Sequence, residues 1–348
     1  MKDKILLVYT GGTICSFLDD KMRQLNIGMA KSVIVNNFQN SDSEYSALTD
    51  DSFVDSKLDF GTLSENMTIG KLSRIIRNIK NNNYNDYAGV IVLHGTDTLA
   101  YTAALFSAIF ADSAVPVMLV SANRPLKDPD TNGNSNFRCA VELIMGGISP
   151  NVYVPYRNSD GVMYLHIAST IMQCQNFSEN FYNASSTHVF TVDSDILKKC
   201  RKISRSRNPI PMPDKLDESS VMLISPYTGL DYSRIDLSGI RIIVHGTYHS
   251  GTVCVERSST DECYGTRSIL HLADRCREAN IQVFIAPSAL NECQYSSMFD
   301  AAKTGILVPL NMTSESAYAK AVIGIALSYD STKLHEFMLT DIAGEIIE

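Results

Sequence analysis

Short apolar runs alternate with helical patterns along this chain, and that alternation limits the possible folds more than any other feature. Strands that are apolar at nearly every position are typical of parallel sheets with helices on both faces. We therefore expect an α/β fold, with a doubly wound, mostly parallel sheet in a larger N-terminal domain and a smaller α/β C-terminal domain. The predicted strands are residues 5–9, 89–93, 116–120, 152–156, 188–192, 221–225, 240–244, 281–286 and 306–309. The predicted helices are residues 69–79, 98–110, 136–145, 268–279, 314–327 and 331–338.

The chain has 348 residues, more than one small core holds, and its composition changes once near the middle. There a basic stretch runs into a segment rich in proline. We therefore predict an N-terminal domain over residues 1–200, a linker over 201–217 and a C-terminal domain over 218–348. Residues 15–63 are polar and lack clear periodicity, so we expect a long loop of the kind that often closes over a site as a lid.

The composition excludes several classes of partner. Lysine and arginine total 30 residues and aspartate and glutamate total 38, so the net charge of −8 argues against a nucleic-acid partner. The eight cysteines have neither CxxC nor zinc-ligand spacing. We therefore expect no metal, no cofactor and a reduced, cytoplasmic setting. The apolar runs are too short for a signal peptide or a membrane span, so no membrane partner is expected.

Two of the predicted strands in the N-terminal domain end in a glycine followed by a threonine. Residues 5–9 run into Thr-Gly-Gly-Thr-Ile at 10–14, and residues 89–93 run into His-Gly-Thr-Asp-Thr at 94–98. In α/β proteins, ligands bind at the edge of the sheet where the carboxyl ends of parallel strands meet. Glycines at that edge let the chain turn sharply and let backbone N–H groups approach a ligand. A phosphate loop does not fit, because neither GxxxxGK[ST] nor GxGxxG is present.

The side chains of the two motifs suggest nucleophilic chemistry. Thr13 and Thr96 would present hydroxyl groups, and Asp97 would present a negative charge that can hold an α-ammonium group. A threonine hydroxyl is a weak nucleophile at neutral pH and needs a base or a cation to activate it, whereas backbone N–H groups can stabilise an oxyanion. Either motif alone would also suit an ordinary turn between strand and helix, and Thr96 or Asp97 could simply cap the helix that follows.

Taken together, the two motifs resemble the signatures of the bacterial-type L-asparaginase/glutaminase amidohydrolases. Weaker likeness extends over nearly the whole chain, including Leu-Ser-Glu-Asn-Met-Thr at 63–68 and Ser-Ala-Asn-Arg-Pro at 121–125. The resemblance implies that Thr13 attacks a side-chain amide, that ammonia leaves, and that water then releases the acid. It makes Thr96 the second threonine and Asp97 the group that holds the substrate ammonium. It places the substrate contacts at Gly12, Ser64, Glu65, Gly95, Asp97 and Ala122.

The sequence departs from the family at two positions. The family pairs a lysine with the second threonine, but no lysine occurs from residue 128 to 197. The family also carries a tyrosine on its lid, but no tyrosine lies between residues 10 and 44. Without a nearby cation the pKa of a threonine hydroxyl stays far above neutral, and losing such a group costs about 10²- to 10⁴-fold in rate. The candidates to replace the lysine are Lys21, Lys127 and His166.

Three functions follow from these residues. The first is an amidohydrolase that cleaves the side-chain amide of asparagine or a related small amide, with a small-molecule amino acid as its substrate. The second is a catalytically impaired relative that binds an amino acid as a sensor or regulator. The third is an amidase or the ammonia-releasing subunit of an amidotransferase, which the acidic composition and the start of the chain just before the first strand disfavour. The resemblance also implies a homodimer or homotetramer, in which Asn291 and Glu292 would complete the neighbouring chain's site.

Overall fold

The computed structural model of the protein describes residues 3–19, 22–201, 208–256, 265–288 and 295–347. The chain divides into two compact units. The first unit takes Met1–Ile210 together with Ile342–Gly344, and the second takes Pro211–Asp341 together with Glu345–Glu348. Both units are built from parallel strands and helices, which confirms the expected α/β fold.

The first unit is organised around a seven-stranded sheet with the strand order β4-β1-β5-β6-β7-β8-β9. The pairs from β4 to β7 are parallel, whereas β7–β8 and β8–β9 are antiparallel. All five residues of β1 and all five of β5 are buried, which explains their continuous apolar character. The strands of this sheet are β1 (Ile5–Tyr9), β4 (Phe53–Asp55), β5 (Gly89–Leu93), β6 (Val117–Val120), β7 (Val152–Arg157), β8 (Met163–Ile167) and β9 (Val189–Thr191).

Five helices accompany this sheet. One face of the sheet packs against α1, α4 and α5, and Phe38, Phe53 and Phe137 meet there with ring centroids 6.0 Å apart. The helix α2 begins after Thr68, whose hydroxyl accepts a hydrogen bond from the backbone N–H of Lys71. The helices are α1 (Ile27–Gln39), α2 (Ile69–Asn81), α3 (Leu99–Ile109), α4 (Gly133–Met145) and α5 (Ile196–Arg201).

The expected long loop over residues 15–63 is wrong. The segment contains an antiparallel hairpin of β2 (Ser16–Asp19) and β3 (Met22–Leu25), followed by α1 and β4. The sequence does contain features that favour α1. Asn26 caps the first turn by accepting a hydrogen bond from the N–H of Met29, and buried apolar residues recur along one face of the helix. Many polar residues on the opposite face of α1 hid this periodicity.

The strand β8 was also missed by the sequence analysis. Its buried residues Leu165 and Ile167 alternate with Tyr164 and His166, so it lacks the continuous apolar run of the parallel strands. A strand in an antiparallel hairpin alternates in this way more often than a central parallel strand does. The strand matters for the candidate site described below, because the segment after β8 leads the chain into that site.

The second unit contains a four-stranded, fully parallel sheet in the order β10-β11-β12-β13. Within it, Lys320 on α8 forms a buried ion pair with Glu345, with 2.7 Å between Nζ and Oε1 and side chains only 1% and 5% exposed. The strands are β10 (Val221–Ile224), β11 (Ile242–His245), β12 (Gln282–Ile285) and β13 (Leu307–Pro309). The helices are α6 (Ile269–Glu278), α7 (Ser296–Ala302), α8 (Ser314–Ala326) and α9 (Ser331–Leu339). None of the helices that the structure describes has the length and apolar character needed to cross a membrane.

Candidate active site

The two glycine-threonine motifs meet because the strands before them are neighbours. β1 and β5 pair in parallel with Tyr9 opposite Leu93, so both strands end at the same level of the sheet. Immediately beyond, the backbone N–H of Thr10 donates to the carbonyl of Leu93 over 3.1 Å, and the Thr10 hydroxyl donates to the same oxygen over 2.9 Å. The buried hydroxyl of Thr10 therefore joins the two motifs rather than facing a ligand.

Glycine is required where the backbones of these segments touch. Gly12 has a φ of 75°, and a Cβ placed on it would overlap with the backbone of Gly95. A Cβ placed on Gly95 would in turn overlap with the side chain of Ser64. Three separate segments therefore converge at one point. Because Gly12 and Gly95 are in contact, the residues that follow them, Thr13 and Thr96, begin at neighbouring positions on two chain segments.

Ser64 and Asp97 are in direct contact. The Ser64 hydroxyl donates to Oδ2 of Asp97 over 2.7 Å, and the Thr98 hydroxyl donates to the Ser64 carbonyl over 3.0 Å. Ser64 is buried, whereas Asp97 is exposed. The Asp97 carboxylate thus binds a side chain from another segment, and Thr98, the residue before α3, makes no side-chain cap bond. Ser64, a predicted substrate contact, and Asp97, predicted to hold the substrate ammonium, therefore lie side by side.

A cavity of about 380 Å³ opens beside this contact. Thr96, Asp97 and residues 173–179 are among the residues that line it. Tyr156 and Phe181 pack edge to face at the cavity, with ring centroids 4.9 Å apart. Thr13 is half-buried at the start of a short 3-10 turn over Thr13–Cys15, next to Gly12. The arrangement places a hydroxyl, a carboxylate and closely spaced backbone segments at the rim of a polar cavity.

Gln173 is the residue of this site that the sequence analysis missed. Its side-chain amide donates to the backbone carbonyl of Asp97, so it ties the segment after β8 to the turn that carries Thr96. Gln173 falls within residues 162–174, where the family resemblance places the lysine. The absence of a lysine there was visible in the sequence, but the amide that reaches the turn was not, because β8 itself was not predicted.

Two further residues predicted to contact the substrate, Glu65 and Ala122, lie in different surroundings. Glu65 is exposed, in the 3-10 turn Ser64–Asn66. The Ala122 side chain is fully buried beside Gly133, where a Cβ on that glycine would come within 2.7 Å of it. Its neighbour Asn123 lines the cavity instead. The roles of these residues in binding stay predictions.

The candidates to replace the lysine are not among the described residues that line this cavity. Lys127 lies over the ring of Phe17, 5.6 Å from its centroid, and borders a different cavity. His166 is buried, and its Nδ1 donates to Oδ1 of Asn183 over 2.5 Å. Lys21 lies outside the described residues, as do Asn291 and Glu292. Across the described ranges, no cluster of three or more histidine, cysteine, aspartate or glutamate side chains is arranged to hold a metal ion.

His94, the first residue of the second motif, has a structural role. Its Nδ1 donates to the carbonyl of Gly95 over 2.7 Å, so Nε2 accepts from the Thr102 hydroxyl over 3.0 Å. Burial lowers the pKa of His94 to about 4, so the ring is neutral at pH 7. His245 in the second unit repeats the arrangement, with bonds to the Gly246 carbonyl and the Tyr232 hydroxyl and a pKa lowered by burial to about 4.

These buried rings predict a loss of stability in mild acid. An unfolded histidine binds its proton near pH 6.5, whereas folded His94, His166 and His245 bind it only near pH 4. The unfolded state therefore holds more protons between these values, and the free energy of unfolding should fall as the pH drops from about 6.5 to about 4. Urea unfolding followed by circular dichroism measures this slope.

The variant His94→Asn tests the contribution of one ring, because its amide can still donate to the Gly95 carbonyl but cannot bind a proton. The slope of unfolding free energy against pH reports the number of protons taken up on unfolding. Between pH 6.5 and 4 this number should be about one lower in the variant than in the wild type. An unchanged slope in this variant would show that the pKa of His94 is not lowered in the folded protein.

Comparison with known proteins identifies the family of this chain. Residues 4–199 match the family model for the N-terminal part of asparaginase. The chain is 24% identical over 364 residues to the D-type subunit of the glutamyl-tRNA(Gln) amidotransferase of Sulfolobus acidocaldarius, an alignment that covers 99% of this chain and 75% of that protein. It is 26% identical over 305 residues to the corresponding protein of Pyrococcus abyssi, covering 83% of this chain but only 66% of that protein.

The fold has a close match among solved structures. The thermostable L-asparaginase from Thermococcus kodakarensis superposes with a TM-score of 0.74 at 20% sequence identity, over 99% of both chains. At this identity the match shows a shared fold. The matched residues 4–199 exceed half of the chain and contain both glycine-threonine motifs, Ser64 and the cavity. The chain therefore belongs to the asparaginase family.

Proposed function

We propose that this protein hydrolyses the side-chain amide of asparagine or a related small amide, and so releases ammonia and the corresponding acid. The observation that carries the proposal is the contact between Ser64 and Asp97 beside Thr96 and the paired glycines. Such a site offers a negative charge for a substrate ammonium and a hydroxyl for a substrate carboxylate. It also offers closely packed backbone for an oxyanion.

In the proposed reaction, the oxygen of Thr13 forms a bond to the carbon of the substrate amide. The C–N bond then breaks as the nitrogen takes up the proton that the Thr13 hydroxyl has lost, so that ammonia leaves, and water hydrolyses the resulting ester to free Thr13 and the acid. Asp97 holds the ammonium group and so orients the amide toward Thr13. Among the described residues lining the cavity, none carries an amine that could lower the pKa of a threonine hydroxyl, so we expect slow turnover.

The variant Asp97→Asn tests this assignment. Asparagine at position 97 can still accept the hydrogen bond from Ser64, so only the negative charge is lost. We expect kcat/KM for asparagine to fall about 10- to 100-fold, mainly through a higher KM, because a hydrogen bond to a charged group contributes about 1.5–3 kcal/mol. Ammonia release over a range of asparagine concentrations measures both constants.

Asp86→Asn serves as the matched control, because Asp86 is an exposed aspartate of the same unit that lies before β5 and not at the cavity. Its kinetic constants should equal those of the wild type. If asparagine and glutamine raise the melting temperature of the wild type but release no ammonia, the protein is an amino-acid receptor instead. If neither ligand binds, both functions are excluded.

A second candidate function comes from the relatives named as amidotransferase subunits, which align over 83–99% of this chain. In that case the protein would supply ammonia to a partner subunit. A hydrolase releases ammonia at its full rate as a purified chain, whereas such a subunit would need its partner and the charged tRNA. Ammonia release from glutamine by the purified chain, compared with release from asparagine, separates the two.

We also propose that the protein works in the cytoplasm as a homodimer or homotetramer. Cys15, Cys139 and Cys276 are buried thiols, which suits a reducing compartment. Asn291 and Glu292 are proposed to complete the site of a neighbouring chain. A mass of one chain in size-exclusion chromatography with light scattering would contradict the oligomer.

A further inference from the structure

The cavity beside Thr96 is larger than free asparagine requires, and the charged side chains described in its lining are negative. Its volume of about 380 Å³ falls in the range of sites that hold molecules larger than a single amino acid. Its charged lining residues are two carboxylates, Asp97 and Glu179. Within the part of the chain that the structure describes, no lysine, arginine or histidine lines this cavity.

Glu179 is held at the cavity by a neutral partner. One of its oxygens, Oε2, accepts from the side-chain amide of Asn123 over 2.9 Å. An amide does not neutralise a carboxylate, so the negative charge of Glu179 remains available. Glu179 is exposed, so it can meet a ligand without first breaking a buried contact.

The other lining residues favour a cation as well. Gln173 and Gln175 present amides, and the exposed ring of Phe177 presents an aromatic surface. Burial raises the pKa of Tyr156 to about 12, so its phenol stays neutral and adds no charge. A cavity with carboxylates of one sign concentrates cations and repels anions, and aromatic faces attract ammonium and guanidinium groups.

From this lining we infer that the substrate is an asparagine amide extended at its α-carboxyl end by a cationic group, such as an asparaginyl peptide followed by lysine or arginine. Asp97 takes the α-ammonium group, and Glu179, the other carboxylate of the cavity lining, takes the second positive charge. This inference rests on the proposed function for the identity of the reacting amide. It makes Glu179 a specificity-determining residue.

The test compares two dipeptides that differ in the sign of one side chain. Ammonia release is measured for asparaginyl-lysine and asparaginyl-glutamate, in which only the asparagine side chain can release it. In the wild type, kcat/KM should be about tenfold or more higher for asparaginyl-lysine, as expected for a charge contact near the protein surface. In Glu179→Gln the ratio should fall toward one.

Glu278→Gln is the matched control, because Glu278 is an exposed glutamate on α6 of the second unit. It should keep the wild-type ratio. A wild-type ratio of one or less, or a ratio that Glu179→Gln leaves unchanged, would overturn the inference.

Binding of the corresponding products separates this inference from the proposed function. Aspartyl-lysine should raise the melting temperature of the wild type more than aspartyl-glutamate does, and Glu179→Gln should remove the difference. If that pattern holds and no amide releases ammonia, the cationic specificity stands and the hydrolysis fails. If asparagine is hydrolysed but the dipeptides do not differ in rate or in binding, the hydrolysis stands and the inference fails.

Discussion

Replacement of Thr13 by alanine is expected to lower ammonia release from asparagine by about 10²- to 10⁴-fold. Of the two threonines in the first motif, Thr10 has its hydroxyl buried and bound to the carbonyl of Leu93, so it cannot attack a substrate. Thr13 follows Gly12, which touches Gly95 at the edge of the sheet, and is only half-buried. Steady-state ammonia release with saturating asparagine measures the effect on kcat.

Thr247→Ala provides a control in the same local sequence. Thr247 follows His245 and Gly246 as Thr96 follows His94 and Gly95, but it lies in the second unit and its hydroxyl donates to the Pro287 carbonyl. This variant should keep the wild-type rate. Thr13→Ala should also keep the rise in melting temperature that aspartate causes, because Asp97 and Ser64 are unchanged. Equal ammonia release from Thr13→Ala and the wild type would rule out Thr13 as the nucleophile.

The largest effect on stability is expected for Lys320→Met in the second unit. The Lys320 ammonium and the Glu345 carboxylate are 2.7 Å apart and almost completely buried, and Nζ also donates to the Thr340 carbonyl. Burial by itself lowers the pKa of Lys320, and the nearby Glu345 carboxylate opposes that effect. Removing the lysine leaves a buried carboxylate without its cation, which costs about 3–5 kcal/mol. Urea unfolding at pH 7 measures the change.

The same substitution at an exposed ion pair gives the comparison. Lys303 pairs with Asp300 over 3.2 Å, but its side chain is 76% exposed, so Lys303→Met should change the unfolding free energy by less than about 1 kcal/mol. The double variant Lys320→Met with Glu345→Leu should recover much of the loss, because two apolar side chains leave no buried charge. If Lys320→Met costs no more than Lys303→Met, the buried pair does not stabilise the unit.

The strands could be predicted from the sequence wherever the tertiary structure buries both of their faces. The predicted bounds of β1 and β5 are those observed, because burial on both sides forces every residue to be apolar. The helix α1 and the strand β8 were missed, because polar residues interrupt the apolar pattern of each, including Tyr164 and the buried His166 in β8. Prediction therefore failed where polar residues break the apolar pattern of a helix or strand.

The sequence by itself determined one part of the candidate site. Two apolar strands each run into a glycine-threonine motif, and these motifs carry Thr13, Thr96 and Asp97. Strand propensity and the freedom of glycine are local properties, so they can be read directly from neighbouring residues. Only the tertiary structure decided that Ser64 bonds to Asp97, that Gln173 reaches the same turn, and that Glu179 adds a second carboxylate to the cavity. Those groups lie far apart in the chain. Their approach depends on strand order and on the hairpin of β7 and β8, which no local pattern encodes.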